Sequence, residues 1–562
     1  MSRLTGRRRA ILLIGAVLIA AVLVLAACGG GGGGTGGASP GGNQPKAGGT
    51  YNYPLGAEPV YMDPLQGNYE SEGTQVGHQV FQELVQYVTQ PDGSMKTMPS
   101  LAESWEPNAD ATVWTFHLKK GVMFQAPVSR EVKAQDWVDE WNRVTDKANG
   151  SLTSYLLAPI KGCGDDGYWT DKTAKLSGVK ALDDYTLEVT LRYPYAEFPV
   201  TLGHSVSAVA PADYIEQIGE KAFNLKPVGT GPYMVESWTA GKSVELVKNP
   251  DYWDKANAGY VDRIHMPIIP DDQTMMLEFK KGNLDYTEIP AGQVAASENA
   301  PEVKSGEWIY KKYPGQQTYF VGINMTDKTL GYPAGDKGKG LRVALSMSAD
   351  KEAVNNQVNE GVDTVTNVLM PPGTPGFEPD AGPYPYDLDK AKQLIAAIGT
   401  VPTLNYWFNT ESSGHQKIAE VLQAGWKQIG IDVKLQGFEW GTFLAKCAKG
   451  NAGSGCQIFR MGWIADFPTP DNWMNLFETN MGKTMYTFYS NPAFDKLLKE
   501  ARGTLDETQR VTMYQQLEQM MLADAPVIPL YYYNNPRLTS ARIGGFDYNP
   551  LAFIDMWKVW VK

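Results

Sequence analysis

Four cysteines and five histidines are spread over 562 residues, and that scarcity removes most metal and redox chemistry. Cys28, Cys163, Cys447 and Cys456 form no CxxC pair, and no His/Cys group has the spacing of a metal site. His78, His117, His204, His265 and His415 are scattered and form no HExxH pair. The run Gly203-His204-Ser205-Val206-Ser207 ends in serine, so it is not a nucleophile elbow. An excess of positive charge is also missing: the formal charge is −12. Nucleic acid needs a basic surface to meet its phosphates, so that partner is excluded. The same balance argues against an unaided hold on an anionic membrane face. No cofactor is called for, and no internal repeat is evident.

Long apolar runs are lacking too, except one. Residues 10–27 follow Arg7-Arg8-Arg9 and end in Leu25-Ala26-Ala27 just before Cys28. A basic start, an apolar stretch and small residues before a cysteine read as a bacterial lipoprotein signal. The alternative is a membrane-spanning helix, since the run nears the ~20 residues needed to span. Arg8-Arg9 also gives a partial match to a twin-arginine export signal. Cleavage before Cys28 would leave a lipidated cysteine on a Gly-rich leash, residues 28–48, tethered outside the cytoplasmic membrane. Loss of Arg3, Arg7, Arg8 and Arg9 would then take the charge from −12 to −16. An oxidising compartment permits a disulfide. Cys447 and Cys456 would close a short loop, with isolated buried thiols as the alternative.

The composition is globular, with 43% hydrophobic residues. Residues 112–118 alternate with period two and predict a strand. Trp137, Val138, Trp141 and Val144 fall at helical spacing. Asp183-Asp184 separates two further strand signals over 182–191. Helices are expected over 74–86, 272–281, 341–358, 387–397, 412–429, 491–502 and 507–522, the fourth capped by Asp387 and Asp389. Strands are expected over 243–247, 318–324, 431–435 and 527–533, where Pro529 suggests an edge or an end. Alternating helices and strands favour an α/β architecture.

Several stretches together resemble solute-binding family 5, the dipeptide- and oligopeptide-binding proteins of bacterial ABC importers. They are Pro99-Ser100-Leu101-Ala102-Glu103-Ser104-Trp105, Trp114 to Val122 with Phe124, Pro227-Val228-Gly229-Thr230-Gly231-Pro232-Tyr233, Lys248-Asn249-Pro250-Asp251-Tyr252-Trp253, Gly462-Trp463-Ile464-Ala465-Asp466 and Tyr531-Tyr532-Tyr533. One segment departs: Phe124-Gln125-Ala126-Pro127-Val128 stands where the family has an Asp-Gly turn. The resemblance implies a type II periplasmic-binding-protein-like α/β fold, with two lobes on a two-segment hinge and an extra α/β domain. Lobe one would combine 49–75, 213–318 and 530–562. The extra domain would be 76–212 and lobe two 319–529, with crossings near 319–324 and 526–533.

The function implied is capture of a short peptide between the lobes and delivery to an ABC permease with its ATPase, by a monomer anchored only through lipid. Asp466 matches the family position that holds the peptide amino terminus, with Gly462 and Trp463 beside it as an apolar wall. Arg460 matches a position that meets a peptide carboxylate, which a forked guanidinium suits. Glu58 and Val60 match an edge that pairs with the peptide backbone. Tyr319 and Tyr533 match or neighbour hinge aromatics facing the cleft. Gly229, Gly231 and Pro232 read as structural, glycine being wanted there for its backbone angles. Two other functions stay open: a non-peptide solute such as an oligosaccharide or nickel chelate, and an anchored hydrolase using paired carboxylates.

Overall fold

Three sheets organise the protein, and a computed structural model describes residues 44–66, 71–171, 175–450, 455–479, 481 and 485–562. The signal segment and Cys28 lie outside the described residues. The strands in chain order are β1 (Thr50–Asn52), β2 (Val85–Thr89), β3 (Met95–Pro99), β4 (Ala102–Pro107), β5 (Val113–Leu118), β6 (Val179–Asp183) and β7 (Thr186–Thr190). Then come β8 (Tyr233–Thr239), β9 (Ser243–Lys248), β10 (Arg263–Pro267), β11 (Tyr286–Glu288), β12 (Trp308–Ile323) and β13 (Thr364–Val365). β14 (Leu404–Asn409), β15 (Val433–Phe438), β16 (Ile458–Ile464) and β17 (Val527–Ser540) follow.

The first sheet has the order β1-β10-β9-β8, and a second, antiparallel sheet has the order β4-β5-β7-β6. Alternation in β5 puts Trp114, Phe116 and Leu118 on one buried face. The helix Ala134–Val144 buries Trp137, Trp141 and Val144 in the same core, one helical face at i, i+4, i+7 spacing. The third sheet has the order β11-β17-β12-β16-β14-β15, with β13 also on β17.

β12 and β17 are the two long strands, 16 and 14 residues, and they pair antiparallel over nearly their whole length. The ladder is interrupted twice, and the wider break lies in mid-course. Pro314 faces Asn534 and Thr318 faces Tyr532, so Gly315-Gln316-Gln317 oppose Tyr533 alone. On one side of the break the pair carries β11; on the other, β12 carries β16 and, through it, β14 and β15. Two adjacent strands are thus interrupted together, at the place where the crossings between lobes were expected.

Several expectations need correction. The helix expected over 74–86 ends at Val80, and residues 85–89 turn into β2. The single helix over 341–358 is two, Gly335–Met347 and Lys351–Val358, because Asp350 caps the second by accepting from the Ala353 N–H at 2.8 Å, a side-chain substitute for a backbone bond. Pro529 is the third residue of β17, near the strand's end as expected, and its missing N–H falls where the register with β12 slips between Tyr319 and Phe320, a bulge of the kind that tolerates proline. Gly229 and Gly231 are glycine for space and not for backbone angle. A Cβ on Gly229 would lie 2.1 Å from the Val80 carbonyl oxygen, and one on Gly231 2.5 Å from that of Gln79. The departing segment helps hold this approach. Gln125 is buried; its Nε2 donates to the Gly231 and Tyr233 carbonyls at 3.0 and 2.7 Å, and its Oε1 accepts from the Gly229 N–H at 3.2 Å.

Cys447 and Cys456 are bonded, and Cys163 is a free, buried thiol. Among the described residues no helix is long and apolar enough to cross a membrane.

Candidate ligand-binding site

β16 positions Arg460, Gly462 and Trp463. Its partner β12 sets Arg460 opposite Val321, Gly462 opposite Tyr319, Trp463 opposite Thr318 and Ile464 opposite Gln317. The candidates therefore lie beside the break in the hinge ladder. Gly462 is needed for close approach, since a Cβ would stand 3.2 Å from the Thr318 carbonyl oxygen. Asp466 lies two residues beyond the strand end.

The Asp466 carboxylate is partly buried and has only neutral partners. Tyr155 Oη lies 3.3 and 3.4 Å from its two oxygens, and Asn472 Nδ2 is 3.4 Å from Oδ2. Asn472 also accepts from Trp463 Nε1 at 2.8 Å, fixing the indole beside the acid. No lysine, arginine or histidine pairs with Asp466 among the described residues. Burial pushes its carboxyl up to about 6, against the downward pull of Asn472 and Tyr155. A cavity of about 180 Å³ lies on one side, walled by Trp463, Tyr155, Leu156 and Tyr193. Another of about 200 Å³ lies on the other, between Ile464, Thr74, Tyr87 and Phe553. These walls come from separate stretches of the chain, so Asp466 sits where the parts of the molecule meet.

Arg460 presents the mirror case. Its guanidinium lies 5.0 Å over the Tyr319 ring, and its buried Nε has no hydrogen-bond partner. No carboxylate pairs with it among the described residues. Burial works against its charge, yet the hydroxyls of Tyr319 and Tyr533 hold it above the usual arginine range. Tyr319 is wholly buried, stacked on Tyr531 at 5.0 Å with Tyr533 at 6.5 Å. It supports Arg460 from behind, and Tyr533 is the more open of the two.

His415 completes this end and was not singled out by sequence reasoning. Its ring is 5.7 Å from Tyr319, and burial with the neighbouring Arg460 lowers its pKa to about 4, so it is neutral. Forty-five positions separate it from Arg460 in the chain; only the start of the helix Ser413–Gln428 brings them together. Glu58 and Val60 sit apart from the Asp466–Arg460 strand. The Glu58 carboxylate accepts from Trp238 Nε1 at 2.5 Å and the Gly241 N–H at 2.7 Å, tying its segment to the β8–β9 hairpin. The exposed Val60 offers a carbonyl already taken by Asn224 Nδ2 at 3.0 Å. No group of three or more metal-ligating side chains exists among the described residues.

Among the described residues this site brings together single unpaired charges and aromatic walls. The sequence pattern of the bacterial extracellular solute-binding proteins, family 5 Middle, matches residues 96–484. The chain belongs to this family. The periplasmic oligopeptide-binding protein OppA of Escherichia coli is 31% identical over 513 residues, covering 87% of this chain and 88% of the relative. Heme-binding protein A of Haemophilus influenzae is 27% identical over 525 residues, covering 90% of each. Among solved structures, DppA from Helicobacter pylori in complex with the peptide STSA superposes with a TM-score of 0.72 at 27% identity, covering 92% of this chain and 98% of that one. As a family 5 protein, the chain is a member of a solute-binding and not a catalytic group.

Proposed function

We propose that this family 5 protein is the extracytoplasmic component of an ABC importer and captures oligopeptides by closing its lobes at the β12/β17 break. One observation carries the reading: a guanidinium without an acid stands on β16, and a carboxylate without a cation stands two residues beyond that strand's end. Six residues at about 3.3 Å each put them about 20 Å apart along the chain, the scale of a short extended peptide. Leaving either charge buried alone costs several kcal/mol, and a zwitterionic peptide would satisfy both. Asp466 then takes the ammonium, Trp463 flanks the first side chain, and Arg460 meets a carboxylate. Ligand contacts made from both lobes favour the closed form. Relatives named as oligopeptide-binding proteins and a solved relative holding a peptide support the peptide class. Lipidation at Cys28 would tether the monomer outside the membrane, and a permease with its ATPase would complete transport.

A relative named as heme-binding keeps a non-peptide solute as the second reading. Haem carries carboxylates for Arg460 but no ammonium for Asp466, so one experiment separates the two. Calorimetric binding of a free peptide and its amino-acetylated form to wild type and Asp466→Ala should show the variant losing affinity for the free peptide far more. Equal losses would refute the ammonium role, and haem binding that outlasts Asp466→Ala would favour the second reading.

A further inference from the structure

A separate cavity of about 210 Å³ lies behind the wall formed by Tyr87 and Phe553, which also line the space beside Asp466. It is built from both the extra domain (82–100, 119) and the C-terminal segment (553–558), together with 252–257. Its polar lining is uneven in a telling way. Asp555 accepts from His78 at 2.9 Å and from Lys558 at 2.7 Å. Asp254 is occupied by the Ala256 N–H and Asn257 Nδ2 at 3.2 and 2.7 Å. Two charges remain uncommitted. Glu83 is 7% exposed, and no other described residue hydrogen-bonds or ion-pairs with its carboxyl. Lys119 has no carboxylate within ion-pairing distance; its ammonium rests 4.9 Å over the Trp253 ring. The aromatic wall is preset, because Gln82 donates to Tyr252 Oη at 2.9 Å and accepts from Trp253 Nε1 at 2.9 Å.

We propose that this cavity is a second solute site, taking a free amino acid with its ammonium on Glu83, its carboxylate on Lys119 and an apolar side chain against Tyr252 and Trp253. Two opposite, unpaired charges lining one enclosed space without meeting each other match a zwitterion and neither an amine nor an acid alone. A cavity of about 210 Å³ has room for a single amino acid. Burial pushes the Glu83 carboxyl up to about 7, in keeping with a site that awaits a cation. The site is independent of the peptide cleft: Tyr87 is pinned across the boundary by its hydroxyl on the Val200 carbonyl at 2.6 Å.

Isothermal titration of the whole protein with L-leucine, isopentylamine and 4-methylpentanoate tests this. L-leucine should bind, and each half-ligand should bind at least about tenfold more weakly, as expected for losing one charged hydrogen bond. Glu83→Gln and Lys119→Met should each weaken L-leucine at least about tenfold while Asp466→Ala stays within about twofold. Glu83→Gln removes a desolvated acid, so it should fold, and an undiminished Tm checks that. Failure of wild type to bind L-leucine at about 10 mM, equal binding of isopentylamine, or loss that follows Asp466 instead of Glu83 would each overturn the assignment. Those results leave the peptide reading untouched, since that reading is tested by acetylated peptides.

Discussion

Arg143 and Arg460 are both guanidiniums set inside the protein, yet their surroundings are opposite. Arg143 meets Asp63 through two bonds of 2.5 and 2.9 Å, Glu140 at 2.8 Å and Glu220 at 2.7 Å. Those acids come from residue 63, from the helix Ala134–Val144 and from the helix Glu220–Leu225, so one cation ties three distant segments together. Arg460 has tyrosines and a neutral histidine, and no acid. The contrast separates two uses of buried charge. A saturated ion cluster fixes architecture, whereas an unsaturated cation on a strand that ends in an unsaturated acid is a receptor for something the chain does not contain.

Removing the saturated charge should therefore unfold, and removing the unsaturated ones should only unbind. Arg143→Met is expected to have the largest effect, about 3–5 kcal/mol of stability, because it strands buried carboxylates. Glu140 is already pushed up to about 7 by burial, even with its arginine present. Guanidinium unfolding would report the loss, and peptide affinity at low temperature should stay within about twofold of wild type. A stable variant would dissolve the comparison. Asp466→Asn should do the reverse: a loss of about 2–5 kcal/mol of affinity for peptides with a free amino terminus, with stability at pH 7 not reduced, since no charge loses a partner and a desolvated acid is removed.

Much of this contrast was legible in the sequence, and the part that was not has a definite cause. The Gly462-Trp463 run and Asp466 were found because they are contiguous, on one strand and just past its end. Period-two and 3.6-residue spacing likewise located β5 and the helix bearing Trp137 and Trp141. His415 and the Arg143 cluster were missed because their partners are 45 to 80 positions away, and no local pattern marks such meetings. Pro529 marked the strand's start, but the bulge beside it was not legible, because a bulge depends on what the neighbouring strand does. The glycines at 229 and 231 were correctly read as structural for the wrong reason, the needed space being set by a helix end, at Gln79 and Val80, some 150 residues earlier.

Arg460→Met sharpens the comparison at its other end. It should cost about 1.5–3 kcal/mol of affinity, the usual worth of a hydrogen bond to a charged group. The loss should appear only for peptides whose carboxylate reaches it. Amidating the peptide should cost wild type the same amount and the variant nothing, a double-mutant cycle in which the coupling equals the single losses. Full additivity would place the carboxylate elsewhere.

The smallest expected effect comes from pH, and its sign distinguishes Asp466 from a paired acid. Its carboxyl is raised from 3.8 to about 6 in the unliganded protein, so the folded state binds a proton that the unfolded chain holds only below about pH 4. Asp466 therefore adds stability to the empty protein as pH falls from above 6 toward 4, opposite to a salt-bridged acid. Peptide ammonium requires the ionised form, so affinity should fall about tenfold per pH unit below 6, with proton release on binding near pH 6. The affinity slope should vanish in Asp466→Asn, and the stability slope should shrink only by the share of Asp466, since the buried Glu83 and Glu140 are raised to about 7 and remain. A wild-type affinity flat from pH 7 to 5 would mean that the acid is already charged before ligand arrives, and the difference between the two kinds of buried charge would then lie in geometry alone.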